Sequence, residues 1–393
     1  MLVYRIFLSA VVVAFSALPV IARDYYVESL KHLNDKLIAA VGPIEAGRIE
    51  IPFQIDQEAI AQAKLVTRSS IGLQTKCRRL IDFMLNKDEL GITYDPVASR
   101  TAMDVYQERI GNCLSLTNLF IGMARNISID AYYVHVTEVT RFSEAGGGIG
   151  NGSSDSGGSG VVVHSSHICA GISEAGRVTL VDFSPGNTRQ YHSYDILDDL
   201  AAVAHFYNNT GYETAYHSTG LSLEARQEKE IQLYETAIRI KPDFFPAYNN
   251  LGTACKHRGD ASRALQLYAK ALEINPRFAE AYSNRASVYL GMRKTKEAIE
   301  ELKTAIRLDG SNPYSYYDLG NVYFSLGRYS DAESNYEKAS SRGRNSDFYL
   351  SLARARIALG KRREAVDALR KGLQLTPDDS DILKLMQSLG ETV

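Results

Sequence analysis

The 393-residue sequence predicts an α+β domain followed by an all-α array of helical repeats. Residues 23–200 mix apolar stretches at helical spacing with alternating, β-rich stretches, whereas residues 201–393 repeat one helical pattern about every 34 positions. The composition is compatible with two soluble domains that each bury a core, because 45% of the residues are hydrophobic and 23% are charged.

The charge and the cysteine content exclude several classes of protein. A formal net charge of −2 attracts neither nucleic acid nor an anionic membrane surface, so we expect neither as a partner. His164, His167 and Cys169 do not suit a metal, since residue 164 lies on the other strand face and a fourth ligand is missing. We therefore expect no metal and no cofactor. The four cysteines are Cys77, Cys113, Cys169 and Cys255. They are too few and too scattered for a disulfide scaffold or a CxxC zinc site.

The first 22 residues have the pattern of a secretory signal. Arg5 precedes a 17-residue, mostly apolar run, and a polar break follows at Arg23. Val20 and Ala22 suit the positions before a cleavage site, although the segment could also be retained as an anchor. Cleavage would place a mature chain without a membrane span in the periplasm or outside the cell.

The residues after position 204 show the repeat. In a register that starts at residue 245, large residues occupy positions 4, 7, 11 and 24, and small residues occupy positions 8, 20 and 27. Small residues let two helices approach closely, and large ones fill the space between them. The pattern returns at residues 279, 313 and 346, and it resembles the tetratricopeptide repeat. A degenerate first copy is predicted at residues 204–244, and a capping helix at residues 380–389.

Arrays of this kind present a concave face to a peptide or a partner protein. The alternative is an array that only contacts its neighbours within the chain. The residues predicted to face inward, toward a partner, are Asn249, Thr253, Lys256, Ser283, Ser287, Tyr317, Asn321 and Arg354.

The α+β domain is predicted from local patterns. Helices are expected over residues 24–41, 56–68, 77–85 and 102–110, and strands over residues 131–139, 161–172 and 177–183. Residues 145–160, rich in glycine and serine, are predicted to form a mobile surface loop.

Cys113 is the first candidate for chemistry. The run Gly111-Asn112-Cys113 precedes a helix with a strongly apolar face, so the thiol is predicted at a helix N-terminus. Backbone N–H groups and the helix dipole favour a thiolate there. The alternative is a structural cysteine, because cysteines without a disulfide are commonly buried.

A histidine and an aspartate on two neighbouring strands complete the candidate site. If the strands pair across a turn at Ser173–Gly176, His167 lies directly opposite Asp182 on one face of the sheet. We expect this pairing for a loop of two or four residues, whereas a three-residue loop would shift the register by one and break it.

These residues resemble the transglutaminase-like, papain-related superfamily. Its members have the cysteine after a glycine at a helix start, the histidine on a later strand and the aspartate on the next strand. The resemblance implies that Cys113 attacks an acyl carbon, that His167 is the base and that Asp182 orients the imidazole. It also implies an oxyanion site at the Cys113 backbone N–H, for which Asn112 is the guess for a second donor. Ile168 stands where many relatives have tryptophan.

Nearly the whole mature chain resembles bacterial secreted proteins that join such a domain to tetratricopeptide repeats. The resemblance implies cleavage or transfer of an acyl group on a polypeptide, as a protease, amidase or acyltransferase, with the repeats recruiting a protein partner. The alternative is a catalytically inactive domain that acts as a protein–protein interaction adaptor.

Overall fold

The computed structural model describes residues 11–14, 30–96, 99–142, 161–174, 177–183, 191–217 and 220–391, with side chains except at 11–14, 137–142, 161–167, 177, 191–193 and 217. Three predictions fall outside these residues. They are the cleavage site after Ala22, the beginning of the first helix at Asp24 and the loop at residues 145–160.

The chain divides into two compact units. Residues 1–140 and 164–254 form the first unit, and residues 141–163 and 255–393 form the second. The degenerate first copy of the repeat, predicted at residues 204–244, therefore belongs to the same unit as the α+β region.

Six helices occupy the chain from residue 30 to residue 126. Asp56 begins one of them, because its Oδ1 accepts the Ala59 N–H at 2.8 Å. Thr101 and Asp104 begin another with a reciprocal capping box. That helix ends before residue 110, since Arg109 adopts a φ of 60°. The helices are α1 (Leu30–Val41), α2 (Pro43–Ala46), α3 (Gln57–Thr67), α4 (Leu73–Leu85), α5 (Ala102–Glu108) and α6 (Cys113–Asn126).

The strands form one large sheet and one small one. They are β1 (Val11–Ala14), β2 (Thr93–Tyr94), β3 (Ile110–Gly111), β4 (Ala131–Phe142), β5 (Val161–Glu174), β6 (Arg177–Asp182) and β7 (Tyr191–Leu197). The five-stranded sheet has the order β1-β6-β5-β4-β7, and β2 pairs with β3 in parallel. β7 was not predicted, and β1 lies within the predicted signal segment.

The pairing of β5 with β6 differs from the predicted register. The strands run antiparallel from Ala170 opposite Val181 to Glu174 opposite Arg177. This is two residues out of step with the prediction that His167 faces Asp182, and that prediction is wrong. The prediction ends β5 at residue 172, whereas the strand continues to Glu174, which lies opposite Arg177. If this register is extended by one position beyond Ala170 and Val181, Cys169 comes opposite Asp182.

The main core of the first unit lies between the helices and one face of the large sheet. Ile168 and Ala170 belong to this core, whereas Cys169 belongs to a smaller apolar cluster. Such alternation follows from the two-residue period of a strand. Phe120 of α6 contacts Phe183 with ring centroids 5.9 Å apart, which fixes α6 against the sheet.

Two further helices of this unit are α7 (Asp199–His217) and α8 (Leu223–Ile240), and the unit continues to residue 254. Arg125 of α6 forms a bidentate ion pair with Asp199, at 2.7 and 2.8 Å, in which both side chains are largely buried. The Tyr207 hydroxyl accepts the Glu50 N–H at 2.9 Å. α7 is therefore bonded to the α+β region at both its start and its middle.

The remaining described helices are four consecutive pairs followed by one single helix. They are α9 (Phe245–His257), α10 (Ala261–Ile274), α11 (Ala279–Gly291), α12 (Thr295–Leu308), α13 (Pro313–Ser325), α14 (Tyr329–Arg342), α15 (Ser346–Ala358), α16 (Arg362–Leu375) and α17 (Ser380–Ser388). The first helix of each pair begins where the sequence register begins a copy, at residues 245, 279, 313 and 346.

The packing of the second unit follows the alternation of small and large residues. Ala298, Ala305 and Ala332 are fully buried between helices. A methyl group on Gly320 would lie 2.7 Å from the ring of Tyr336, so only glycine lets these two helices approach as they do. Residues 245–389 thus form an all-α tetratricopeptide-repeat solenoid.

Candidate functional site

Cys113 is the first residue of α6 and is half-buried. The preceding residue, Asn112, caps the helix, because its Oδ1 accepts the Ser115 N–H at 2.9 Å. A methyl group on Gly111 would lie 2.9 Å from the Ser115 Cβ and 3.1 Å from a methyl of Val105. The Gly-Asn-Cys order therefore has a steric cause and a hydrogen-bonding cause, and it leaves the thiol at the positive end of the helix.

The other three cysteines lie in the interior. All four cysteines are within the described residues, and none forms a disulfide there. Burial raises the pKa of Cys77 to about 12 and that of Cys169 well above its usual range. Cys77 and Cys255 are 4% and 2% exposed, so both are core residues. Cys113 is thus the cysteine whose exposure permits reaction.

Asp182 lies at the end of β6 and is 3% exposed. After burial itself, the charges of Asp182 and Cys113 are the next causes that raise the pKa of Cys169. Cys169 is therefore within electrostatic range of both the predicted nucleophile and the predicted orienting carboxylate.

His167 lies in β5, two residues before Cys169. Its side chain is outside the part of the chain whose side chains the structure describes. The triad of Cys113, His167 and Asp182 therefore stays a prediction.

Besides capping α6, the Asn112 side chain donates hydrogen bonds to two other segments of the chain. Its Nδ2 donates to the Ser99 hydroxyl at 3.0 Å and to the Glu213 carboxylate at 3.4 Å. Both ends of the amide are thus occupied by partners within the protein. The oxyanion role of Asn112 stays a prediction, and the structure shows a capping role.

Glu213 of α7 is a residue that the sequence did not indicate. Its carboxylate accepts the Ser99 N–H at 2.6 Å as well as the Asn112 amide. The signal was absent because Glu213 lies in a segment whose pattern predicts a degenerate repeat, 101 positions after Asn112.

In the repeats, the predicted partner-facing residues differ in exposure. Asn249 is buried at 7%, and its carbonyl accepts the Thr253 hydroxyl at 3.2 Å. Tyr317 is half-buried, with its ring 5.1 Å from that of Phe348. Asn321 and Arg354 are exposed.

Asn321 and Lys256, two of the predicted partner-facing residues, also form hydrogen bonds within the repeats. The Tyr336 hydroxyl donates to Asn321 Oδ1 at 2.8 Å. The Lys256 ammonium donates to the Ser287 hydroxyl at 3.3 Å. Burial raises the pKa of Asp318 to about 6, and the nearby charge of Lys256 opposes that rise. Asp318, one position after Tyr317, is not among the residues that the sequence pattern indicates.

Family comparisons identify the repeats. Models described as tetratricopeptide repeat match residues 245–278, 267–300 and 323–389, and a model described as TPR repeat matches residues 294–327. A comparison with curated proteins gives no match.

Solved structures give the following likenesses. A structure of MamA is 26% identical with a TM-score of 0.36, over 40% of this chain and 92% of MamA. YrrB, described as a TPR protein with an unusual peptide-binding site, is 18% identical with a TM-score of 0.36, over 47% of this chain and 92% of YrrB. A thermophilic TPR protein of Thermus thermophilus is 20% identical with a TM-score of 0.39, over 47% of this chain and 97% of that protein.

The described residues contain neither a candidate membrane span nor a candidate metal site. None of the helices there combines the length and the apolar character that a membrane crossing requires. The same residues contain no group of three or more histidines, cysteines and carboxylates arranged to hold a metal ion.

Proposed function

We propose that the repeats bind a segment of another polypeptide and that Cys113 performs acyl chemistry on a polypeptide substrate. The tetratricopeptide repeats support a role in protein–protein interaction. The finer parts of the proposal are the surface used for binding and the chemistry of the thiol, and each is supported by a separate observation.

The binding surface is proposed on the first helices of successive repeats. Ser287 of α11, Asn321 of α13 and Arg354 of α15 occupy the same position in three copies, and all three are exposed. A row of polar side chains with one per repeat suits an extended peptide, whose backbone offers a donor and an acceptor at every residue.

Peptide display on the full-length protein tests this surface. Peptides selected from a random library should bind Ser287→Ala/Arg354→Ala about tenfold more weakly than wild type, as loss of central contacts predicts. The matched control, Thr304→Ala/Arg307→Ala, removes a hydroxyl and an arginine from the second helix α12, and its affinity should change less than about twofold. Equal losses in the two variants would contradict the assignment.

The thiol chemistry is proposed at Cys113, and the half-buried position of this residue at the capped start of α6 supports it. The thiolate attacks the acyl carbon of an amide, a C–S bond forms, and the bond to the leaving nitrogen breaks. His167 takes the proton from the thiol and delivers it to that nitrogen, while Asp182 holds the imidazole. Water or an amine then releases the acyl group.

An activated ester provides a direct test. Full-length protein treated with 4-nitrophenyl acetate should acquire an acetyl group on Cys113, detected by peptide mass spectrometry. His167→Ala should slow this acylation by about a hundredfold, the ordinary contribution of a general base. If Cys113 reacts no faster than the same cysteine in urea-unfolded protein, the domain is the catalytically inactive alternative and acts as an adaptor.

A further inference from the structure

We infer that Glu213 is a positioning residue for Cys113, acting through Asn112 and the loop before α5. The inference rests on the proposed thiol chemistry. It begins from a network of hydrogen bonds around the first turn of α6, in which one carboxylate from α7 connects two segments that are distant in sequence.

The network has two layers around the thiol. In the inner layer, Asn112 Oδ1 accepts both the backbone N–H of Ser115 at 2.9 Å and its hydroxyl at 2.8 Å. The Ser115 Oγ in turn accepts the Arg100 N–H at 2.7 Å. The first turn of α6 is thus bonded to the loop that precedes α5.

The outer layer orients Asn112. Its Nδ2 donates to Ser99 Oγ and to Glu213 Oε1, while the other oxygen of Glu213 accepts the Ser99 N–H at 2.6 Å. An asparagine side chain that caps a helix can rotate about two bonds, and each additional hydrogen bond restricts that rotation. Glu213 therefore limits the orientations of the residue whose peptide group leads directly to Cys113.

Two contacts with the α+β region hold α7, and with it Glu213, in place. Asp199, near the start of α7, pairs with Arg125 of α6 in a largely buried contact. Tyr207, in the middle of α7, is bonded to the Glu50 backbone. A carboxylate on a helix held at these points is more precisely placed than one on a loop. Residues 204–244, which the sequence predicts as a degenerate repeat, therefore include a residue that supports the structure around Cys113.

Glu213→Asp is the informative variant. It keeps the negative charge and the helix but shortens the reach by one methylene, so the hydrogen bonds to Ser99 and Asn112 are lost. The control is Glu108→Gln, which removes a carboxylate that pairs with the Arg100 side chain and not with the Asn112 amide. Both variants are made in the full-length protein.

The first readout is amide hydrogen exchange by NMR. In Glu213→Asp, the Ser115 amide should exchange roughly five- to tenfold faster, as loosening of a helix cap predicts, while Met123 near the end of α6 is unchanged. In Glu108→Gln both amides should exchange at the wild-type rate. Unchanged exchange at Ser115 in Glu213→Asp would overturn the inference.

The second readout is the pH profile of Cys113 alkylation by iodoacetamide. In Glu213→Asp the midpoint should move upward by about half a pH unit, because a loosened first turn stabilises the thiolate less. An unmoved midpoint alongside faster Ser115 exchange would overturn the positioning role and leave a structural one. If wild-type Cys113 itself shows no lowered midpoint, the proposed chemistry fails, while the Ser115 exchange still reports on Glu213.

Discussion

The two units of this protein build their polar contacts over different distances along the chain. In the repeats, Tyr336 reaches Asn321 across 15 positions and Ser351 reaches Tyr317 across 34. At the thiol, Glu213 reaches Asn112 across 101 positions and Ser99 across 114. A repeat pattern in the sequence predicts the short-range contacts of the repeats. No local pattern predicts the long-range contacts near Cys113.

The largest expected effect breaks a long-range contact of the first unit. Arg125→Met removes a bidentate, largely buried partner of Asp199 and leaves that carboxylate without its arginine. The free energy of unfolding should fall by about 3–5 kcal/mol, the usual cost of breaking a buried ion pair on one side. A denaturant titration, monitored by hydrogen exchange at the amides of α6 and α7, measures the loss of unfolding free energy in this unit.

The control is an ion pair in the repeats between neighbours in sequence. Arg328 and Asp331 are about half exposed, so Arg328→Met should cost less than about 0.5 kcal/mol. Equal losses for the arginine variants would contradict the difference between the units.

A medium effect is expected where a glycine packs closely against a tyrosine ring, a contact that both units contain. Methyl groups added by Gly211→Ala and Gly320→Ala would lie 2.6 Å from the ring of Tyr234 and 2.7 Å from that of Tyr336. Both rings are 2% exposed and cannot swing away, so each variant should lose about 1–3 kcal/mol of unfolding free energy. Hydrogen exchange reports the loss in each unit separately.

Gly291→Ala is the matched control for these two substitutions. No atom lies within 4 Å of a methyl group placed on this residue at the end of α11. The substitution should be neutral or stabilising by up to about 1 kcal/mol. Destabilisation by Gly291→Ala comparable to that of Gly320→Ala would contradict close packing as the reason for the losses at Gly211 and Gly320.

The smallest effect concerns Asp318 and pH. Burial raises its pKa from 3.8 to about 6, so the folded state binds this proton more tightly than the unfolded state. Asp318 therefore makes the unfolding free energy fall as the pH rises from about 4 to about 6. Asp318→Asn should remove this dependence and raise stability at pH 7.5 by about 1 kcal/mol, measured by thermal unfolding at several pH values. A less stable variant at pH 7.5 would contradict it.

The sequence predicted the repeats more completely than the thiol region. Four helix starts coincide with the register because each depends on residues within one copy. In the α+β region, local patterns predicted the helices that Asp56 and Thr101 cap and three of the strands. They missed β7, and they ended β5 two residues early, which misplaced its register against β6.

The surroundings of the thiol could be predicted only in part. Gly111, Asn112 and Cys113 form a local signal, since a helix start depends on adjacent residues. Glu213 is not part of such a signal, because its contact with Asn112 depends on how α7 packs against the α+β region. Asp318 was missed for a different reason, as its position in the repeat is ordinarily polar in the other copies too, at Asn250 and Asn284.

The most direct test of the central claim is the alkylation rate of Cys113 against pH, in wild type and in His167→Ala. A working thiolate–imidazole pair predicts reaction well below about pH 8.5, the ordinary thiol value, and loss of this reactivity without His167. A Cys113 that stays inert, or that reacts identically in the two proteins, would contradict thiol chemistry and leave the protein as a repeat-based adaptor.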